Sequence, residues 1–230
     1  AGGHYGAYEF HPVVAKLQVF CSEDLGAFYL DILKDRLYTA AAGSRARRSA
    51  QTALWHVTHA MLRWMAPFLS FTAEEAWKAL GPKASFSIFA EVYSDARAWE
   101  DEALLAKWAR IAAIRGESNR KIETLRSEGR LGSSLQAEVT VKAGPAAGEL
   151  LATLGDDLRF VLITSAARSE PLASAADANE FFVDAAVTAA PKCERCWHYR
   201  ADVGVDLSHP TICGRCTANL FGAGEARTVA

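Results

Sequence analysis

The sequence predicts a mainly α-helical chain in three parts: a helical bundle over residues 8–130, a small α+β connector over 131–188, and a cysteine-rich ribbon over 189–230. Three observations predict it. Apolar residues recur at helical spacing up to about Gly129. The period then changes: Leu135, Ala137, Val139 and Val141 alternate with Gln136, Glu138, Thr140 and Lys142, the pattern of a half-buried strand. Finally, four of the five cysteines stand as two Cys-x-x-Cys pairs near the end of the chain.

In the bundle, Ser22 is placed to cap a first helix, with Glu23 and Asp24 in its first turn. Leu25, Phe28, Tyr29, Ile32, Leu33 and Leu37 form its apolar stripe. A second helix is expected over 44–65, with Leu54, Val57, Met61 and Met65 inward and Pro67 ending it. Thr72-Ala73-Glu74-Glu75 reads as a capping box opening a short helix that stops at Gly81-Pro82. A long helix follows, carried by Leu104, Leu105, Trp108, Ile111, Ile122 and Leu125 to Gly129. In the connector, Pro145 and Gly155 bracket a short helix. Segments 158–164 and 181–187 are further candidate strands, and 173–178 is an expected flexible loop.

With 230 residues, half of them apolar, the chain is long enough for one or two cores. A net charge of −2 excludes a global nucleic-acid signature, so any RNA contact must be local. No apolar run approaches the ~20 residues that span a bilayer, and the first residues lack a signal peptide's basic and apolar regions. The expectation is therefore a cytoplasmic location with no membrane partner.

In a reducing compartment, paired Cys-x-x-Cys motifs mean metal rather than disulfide. Cys193, Cys196, Cys213 and Cys216 are the expected ligands of a single structural Zn2+. Soft thiolates favour zinc, and four of them close its coordination sphere, leaving no place for a catalytic water. Gly214 is expected to permit a tight turn around the metal. A redox dithiol is the competing reading, but that chemistry uses one such pair on a βαβ frame. His198 and His209 are spare imidazoles, and Cys21, among apolar residues, is expected to be buried and inert.

Lys192, Arg195, Trp197, His198, Tyr199, Arg200 and Arg215 bring rings and cations into the ribbon, as single-stranded RNA recognition requires. Packing of Trp197 and Tyr199 over the metal is the plainer alternative. A basic cluster, Lys34, Arg36, Arg45, Arg47 and Arg48, has few acids near it and suits phosphate. A second, from Arg115 to Arg130, is interleaved with glutamates and reads as a salt-bridged helix face. His56 and His59 lie one helical turn apart without a third ligand. No phosphate loop, nucleophile elbow or zinc-protease motif occurs, so no catalytic residue is assigned.

Phe20-Cys21-Ser22-Glu23-Asp24-Leu25, Lys34-Asp35-Arg36-Leu37-Tyr38, Arg48-Ser49-Ala50-Gln51-Thr52 and Phe71-Thr72-Ala73-Glu74-Glu75-Ala76-Trp77 resemble the helical anticodon-binding domain of isoleucyl-tRNA synthetases. Leu131-Gly132-Ser133-Ser134-Leu135 is similar to the segment after that bundle. The cysteine module, with Trp197-His198-Tyr199 and Asn219, is similar to the terminal zinc module of bacterial members. The resemblance covers nearly the whole chain. It implies a class I synthetase anticodon-binding fold and a tRNA-binding fragment of an enzyme that joins isoleucine to its tRNA with ATP. The implied partners are the anticodon arm of isoleucine tRNA and the catalytic and editing domains of the same parent chain. Neither of the latter domains is recognisable here. Phosphate contact is then expected from Lys34, Arg36, Arg45, Arg47 and Arg48, and base contact from Trp197, His198 and Arg200. The rivals are a zinc-stabilised protein-interaction scaffold and a DNA-repair accessory module.

Overall fold

The computed structural model describes residues 2–80, 86–93 and 99–227, and the expected helix stop at Gly81-Pro82 lies outside them. The chain forms two compact units: Ala1–Asp31 with Arg48–Glu100, and Ile32–Arg47 with Asp101–Ala230.

The first unit is helical among its described residues. Helices α1 (Gly2–Gly6) and α2 (Phe10–Val19) run into a π-helical stretch, Phe20–Leu30. Ser22 does not cap a helix; it lies inside this stretch and donates to the carbonyls of Gln18 and Val19. The wider winding of a π-helix changes which side chains share a face, and within it Leu25, Phe28 and Tyr29 are only half-buried. Cys21 is exposed rather than buried. Chain continuity leads on to α3 (Asp31–Thr39) and α4 (Arg45–Met65).

On α4 the buried side chains are Ala50, His59 and Leu62. Leu54, Val57, Met61 and Met65, expected inward, instead line an open apolar groove with Leu25 and Leu30. Helix α5 (Ser70–Ala79) starts two residues before the expected capping box, so Thr72 lies within the helix and caps nothing. Glu74 reaches across instead, accepting from the Ile88 amide at 2.9 Å and the Ser87 hydroxyl at 3.1 Å. Leu62, Ala66, Ala73, Trp77 and Ile88 make the small core.

The second unit is built on α6 (Glu102–Ser127), whose N-cap Asp101 accepts from the Leu104 amide. Ile111, Ile114, Ser118, Ile122 and Leu125 follow its buried face, whereas Leu104 and Leu105 are exposed on the first turn. Strand β1 (Ala137–Ala143) buries Ala137, Val139, Val141 and Ala143, as its alternation requires. Helix α7 (Pro145–Ala152) has proline at its first position, where the missing N–H costs nothing. The amides of Ala146 and Ala147 find the carbonyl of Ala178. The expected flexible loop 173–178 is thus tied down at that end.

Segment 158–164 is not a strand. It forms α8 (Leu158–Leu162), closed by Ile163 in the left-handed region at φ 55°. Leu158, Phe160, Val161 and Leu162 are all buried, and a short run buried on every side carries no period to separate helix from strand. The parallel partner of β1 is β2 (Ala166–Pro171), and β3 (Phe181–Val187) pairs with β1 antiparallel, giving the order β2-β1-β3. The core fills the space between α6, α7, α8 and the sheet. Helix α9 (Gly214–Phe221) closes the cysteine-rich end. No described helix is long and apolar enough to cross a membrane.

Candidate metal centre and nucleic-acid interface

Each Cys-x-x-Cys segment turns tightly. The Trp197 amide donates to the Cys193 carbonyl at 2.9 Å, and the Cys193 amide donates to that of His198. Trp197 completes the turn with φ at 65°, a conformation usually reserved for glycine. The second pair straddles the start of α9: Cys213 is its N-cap and Cys216 lies in its first turn. Short bridges between Lys192 and Tyr199 and between Val203 and Cys213 hold the two segments. Gly214 lies in the helical turn that carries Cys213 to Cys216. It opens α9 where the Asp202 carboxylate comes close; a Cβ there would meet Asp202 Oδ2 at 3.1 Å. The hydrogen bond from Arg200 holds that carboxyl below its ordinary value, with burial opposing and the Gly214 amide assisting.

All four sulfurs are buried and lie within 4.8 Å of one another. Cys193 and Cys216 are 3.7 Å apart, Cys196 and Cys213 3.8 Å. A tetrahedron of ~2.3 Å zinc–sulfur bonds has edges of about 3.8 Å, so the sulfurs stand where zinc needs them. Hydrogen bonds from the Cys196 and Cys216 side chains and the Cys216 backbone hold the Cys213 thiol on the thiolate side, against burial. The cluster fits one structural zinc ion with no open coordination position. Neither spare histidine joins it: His209 stacks on Phe221, and His198 turns its ring toward the Cys196 carbonyl and Asp35.

Asp35, on α3, anchors a buried ion cluster beside the metal site. Arg215 donates to both its oxygens at 2.8 and 2.7 Å, and Arg227 to Oδ1 at 2.6 Å. Glu225 accepts from Arg215 and Asn219. The Arg227 guanidinium lies 3.6 Å from the ring centre of Phe160. Burial pushes the Asp35 carboxyl up, but the hydrogen bond and charge of Arg215, then Arg227 and His198, hold it well below the usual carboxylate range. Arg195 donates to the carbonyls of Thr39 and Tyr38, two of the orphan acceptors at the end of α3.

A family model described as the anticodon-binding domain of tRNA ligase matches residues 1–141. The chain belongs to that family. A second model, the zinc finger found in FPG and IleRS, matches residues 191–219, which hold all four cysteines. The chain is 60% identical over 230 residues to the isoleucine–tRNA ligase of Ralstonia pickettii, covering 99% of this chain and 24% of the relative. For that of Cupriavidus taiwanensis the values are 59% over 228 residues, 98% and 23%. For that of Burkholderia cenocepacia they are 59% over 229 residues, 99% and 24%. The chain spans about a quarter of the length of these relatives.

In this anticodon-binding family member, the expected RNA-facing residues separate into exposed and buried sets. Lys34 is exposed on α3, and Arg45 and Arg48 are exposed at the start of α4. Arg36 and Arg47 are partly buried, Arg47 donating to the Ala40 carbonyl at 3.5 Å. Lys34, Arg36, Arg45 and Arg47 fall in the second unit with the cysteines; Arg48 falls in the first. Trp197 is 61% exposed, with the Lys192 ammonium 5.6 Å from its ring centre. Arg200 is partly exposed and held by both oxygens of Asp202.

Two expectations are corrected. His198 is only 4% exposed, packed edge-on against Phe160 at 5.6 Å, so it offers no edge to a base. Arg215, expected in the surface patch, is buried on Asp35. The second basic cluster pairs as expected, Arg120 with Glu117, Arg126 with Glu123 and Arg130 with Glu128. Arg115 is the exception: buried, it donates to the Val161 carbonyl at 3.0 Å. Sequence reasoning missed Asp35, Asp202, Glu225 and Arg227. No local signal marks Asp35, because its partners lie 180 and 192 residues further on.

Proposed function

We propose that this chain is the tRNA-gripping part of an isoleucine–tRNA ligase. It would hold the anticodon arm of isoleucine tRNA, and the parent chain's catalytic domain would use ATP to attach isoleucine at the far end. The observation that carries this reading is the ordered pair of matches, an anticodon-binding domain followed by the zinc finger, in a chain strongly similar to isoleucine–tRNA ligases. The parent's catalytic and editing domains are its covalent partners, and the cytoplasm is its proposed place of work.

Residues 8–130 form the proposed gripping bundle, 131–188 its connector and 189–230 the zinc ribbon. Lys34, Arg36, Arg45, Arg47 and Arg48 meet phosphate, where cations displace condensed counterions. Trp197 offers a base-sized ring at the surface, and Arg200 a partly exposed guanidinium held by Asp202. Zinc, held by Cys193, Cys196, Cys213 and Cys216, supplies shape rather than chemistry.

The test is binding of the zinc-loaded chain to isoleucine tRNA and to an anticodon-swapped copy across a salt series. The expected result is preference for the native anticodon, with affinity falling as salt rises. Equal binding to both would reduce the interaction to general electrostatics. Salt-insensitive capture of a protein, with no tRNA bound, would favour the scaffold reading.

A further inference from the structure

Helix α3 carries two kinds of residue on opposite duties. Lys34 is exposed, whereas the neighbouring Asp35 side chain is only 14% exposed and carries the guanidinium of Arg215 on both oxygens. Arg215 stands between the zinc ligands Cys213 and Cys216, so this pair joins α3 directly to the ribbon. Two further ties follow within the next six residues, at Tyr38 and Thr39 and at Ala41. Arg195, itself between Cys193 and Cys196, holds the carbonyls of Tyr38 and Thr39. At Gly224 the chain passes so close to Ala41 that an added Cβ would lie 3.1 Å from the Ala41 methyl. An arginine inside each Cys-x-x-Cys segment therefore grips the stretch that presents Lys34, Arg36, Arg45 and Arg47.

We propose that Asp35 is a positioning residue for RNA binding: it locks the basic segment 34–47 to the zinc ribbon, so that the metal governs phosphate contacts it never touches. This rests on the tRNA-binding reading above. Asp35 carries a negative charge among the residues proposed to meet phosphate, and charge alone makes it a hindrance to RNA. Its retention by three buried partners gives it a structural office. The two accounts predict opposite signs. Removing the charge should tighten RNA binding if Asp35 acts only through the field, and weaken it if Asp35 holds the cations in place.

The experiment uses Asp35→Asn in the whole zinc-loaded chain, with metal content confirmed at the wild-type value. Hydrogen exchange of the amides of residues 38–47 is measured alongside affinity for an isoleucine tRNA transcript at fixed salt. The expected result is faster exchange in that segment and affinity reduced by about five- to tenfold, within the usual range for coupling between sites. Asp35→Glu keeps the charge but displaces the guanidinium; it should give an intermediate loss, and it carries the same readouts if Asp35→Asn fails to fold. Unchanged or tighter RNA binding would overturn the proposal, as would unchanged exchange. If the wild-type chain binds no tRNA, the functional reading fails, and the exchange data alone decide whether the lock exists.

Discussion

Trp197 pays a conformational cost to stand where it does. A left-handed backbone costs a residue with a Cβ roughly 1–2 kcal/mol relative to its ordinary conformation, yet the ring thereby leaves the ribbon's interior and faces solvent with Lys192 beside it. Trp197→Ala should consequently leave zinc content unchanged and lower tRNA affinity by about 5- to 150-fold, the equivalent of roughly 1–3 kcal/mol for one stacked base. Titration calorimetry checks it, and equal affinity would return the ring to a covering role. Asp35 behaves differently. Taking one partner from a buried ion pair costs about 3–5 kcal/mol, so Asp35→Ala should lower the unfolding midpoint of the second unit in thermal denaturation, well beyond any effect of Trp197→Ala. Local sequence reveals the first of these residues and hides the second. Trp197 follows a cysteine in a short motif, whereas Asp35 is one acid among many until folding brings Arg215 to it.

Among the elements, legibility followed the strength of the periodic signal. Strand β1 alternates cleanly because one sheet face is buried and the other is not. Helix α6 was readable for its length, although its first turn, with Leu104 and Leu105 exposed, departs from the expected stripe. Helix α8 and the π-helical stretch were not readable. One is buried all round, and the other winds with a period that a 3.6-residue template does not describe. The ribbon's cluster of four buried cysteines was legible because two Cys-x-x-Cys pairs at this spacing have few other uses.

Glu74 supplies a pH test at this scale. The hydrogen bond from the Ile88 amide, with burial opposing and Lys78 and Ser87 assisting, holds its carboxyl below its ordinary 4.5. A depressed acid contributes stability that is complete above the unfolded value and fades as pH falls through the folded one. Exchange protection near Ile88 should therefore be constant from neutrality down to about pH 5 and decline below it. Glu74→Gln should remove that dependence; a pH profile identical to wild type would show that the carboxylate anchors nothing.

Across the whole chain, the two units differ in what stabilises them. The second has a continuous core from α6 to the sheet and a metal site; the first has a small core and an apolar groove lined by leucines and methionines. A chelator should act selectively. Removing zinc exposes four thiols and dissolves the ribbon, since a structural metal's binding energy is folding energy. Exchange protection should then collapse in residues 189–227 and in α3, while α5 keeps its protection; uniform loss across both units would contradict the division.

The pairing of Asp35 with Arg215 across 180 residues also has a consequence for the order of events in assembly. A chain made from its N-terminus emerges at ~5–20 residues per second. Helix α3 must therefore wait on the order of ten seconds or more for the arginine that will hold it. Throughout that interval a buried-type carboxylate and a run of cations are exposed together, and their final arrangement cannot be checked by contact. A stretch of polypeptide made 180 residues later thus acts as the fastener for α3.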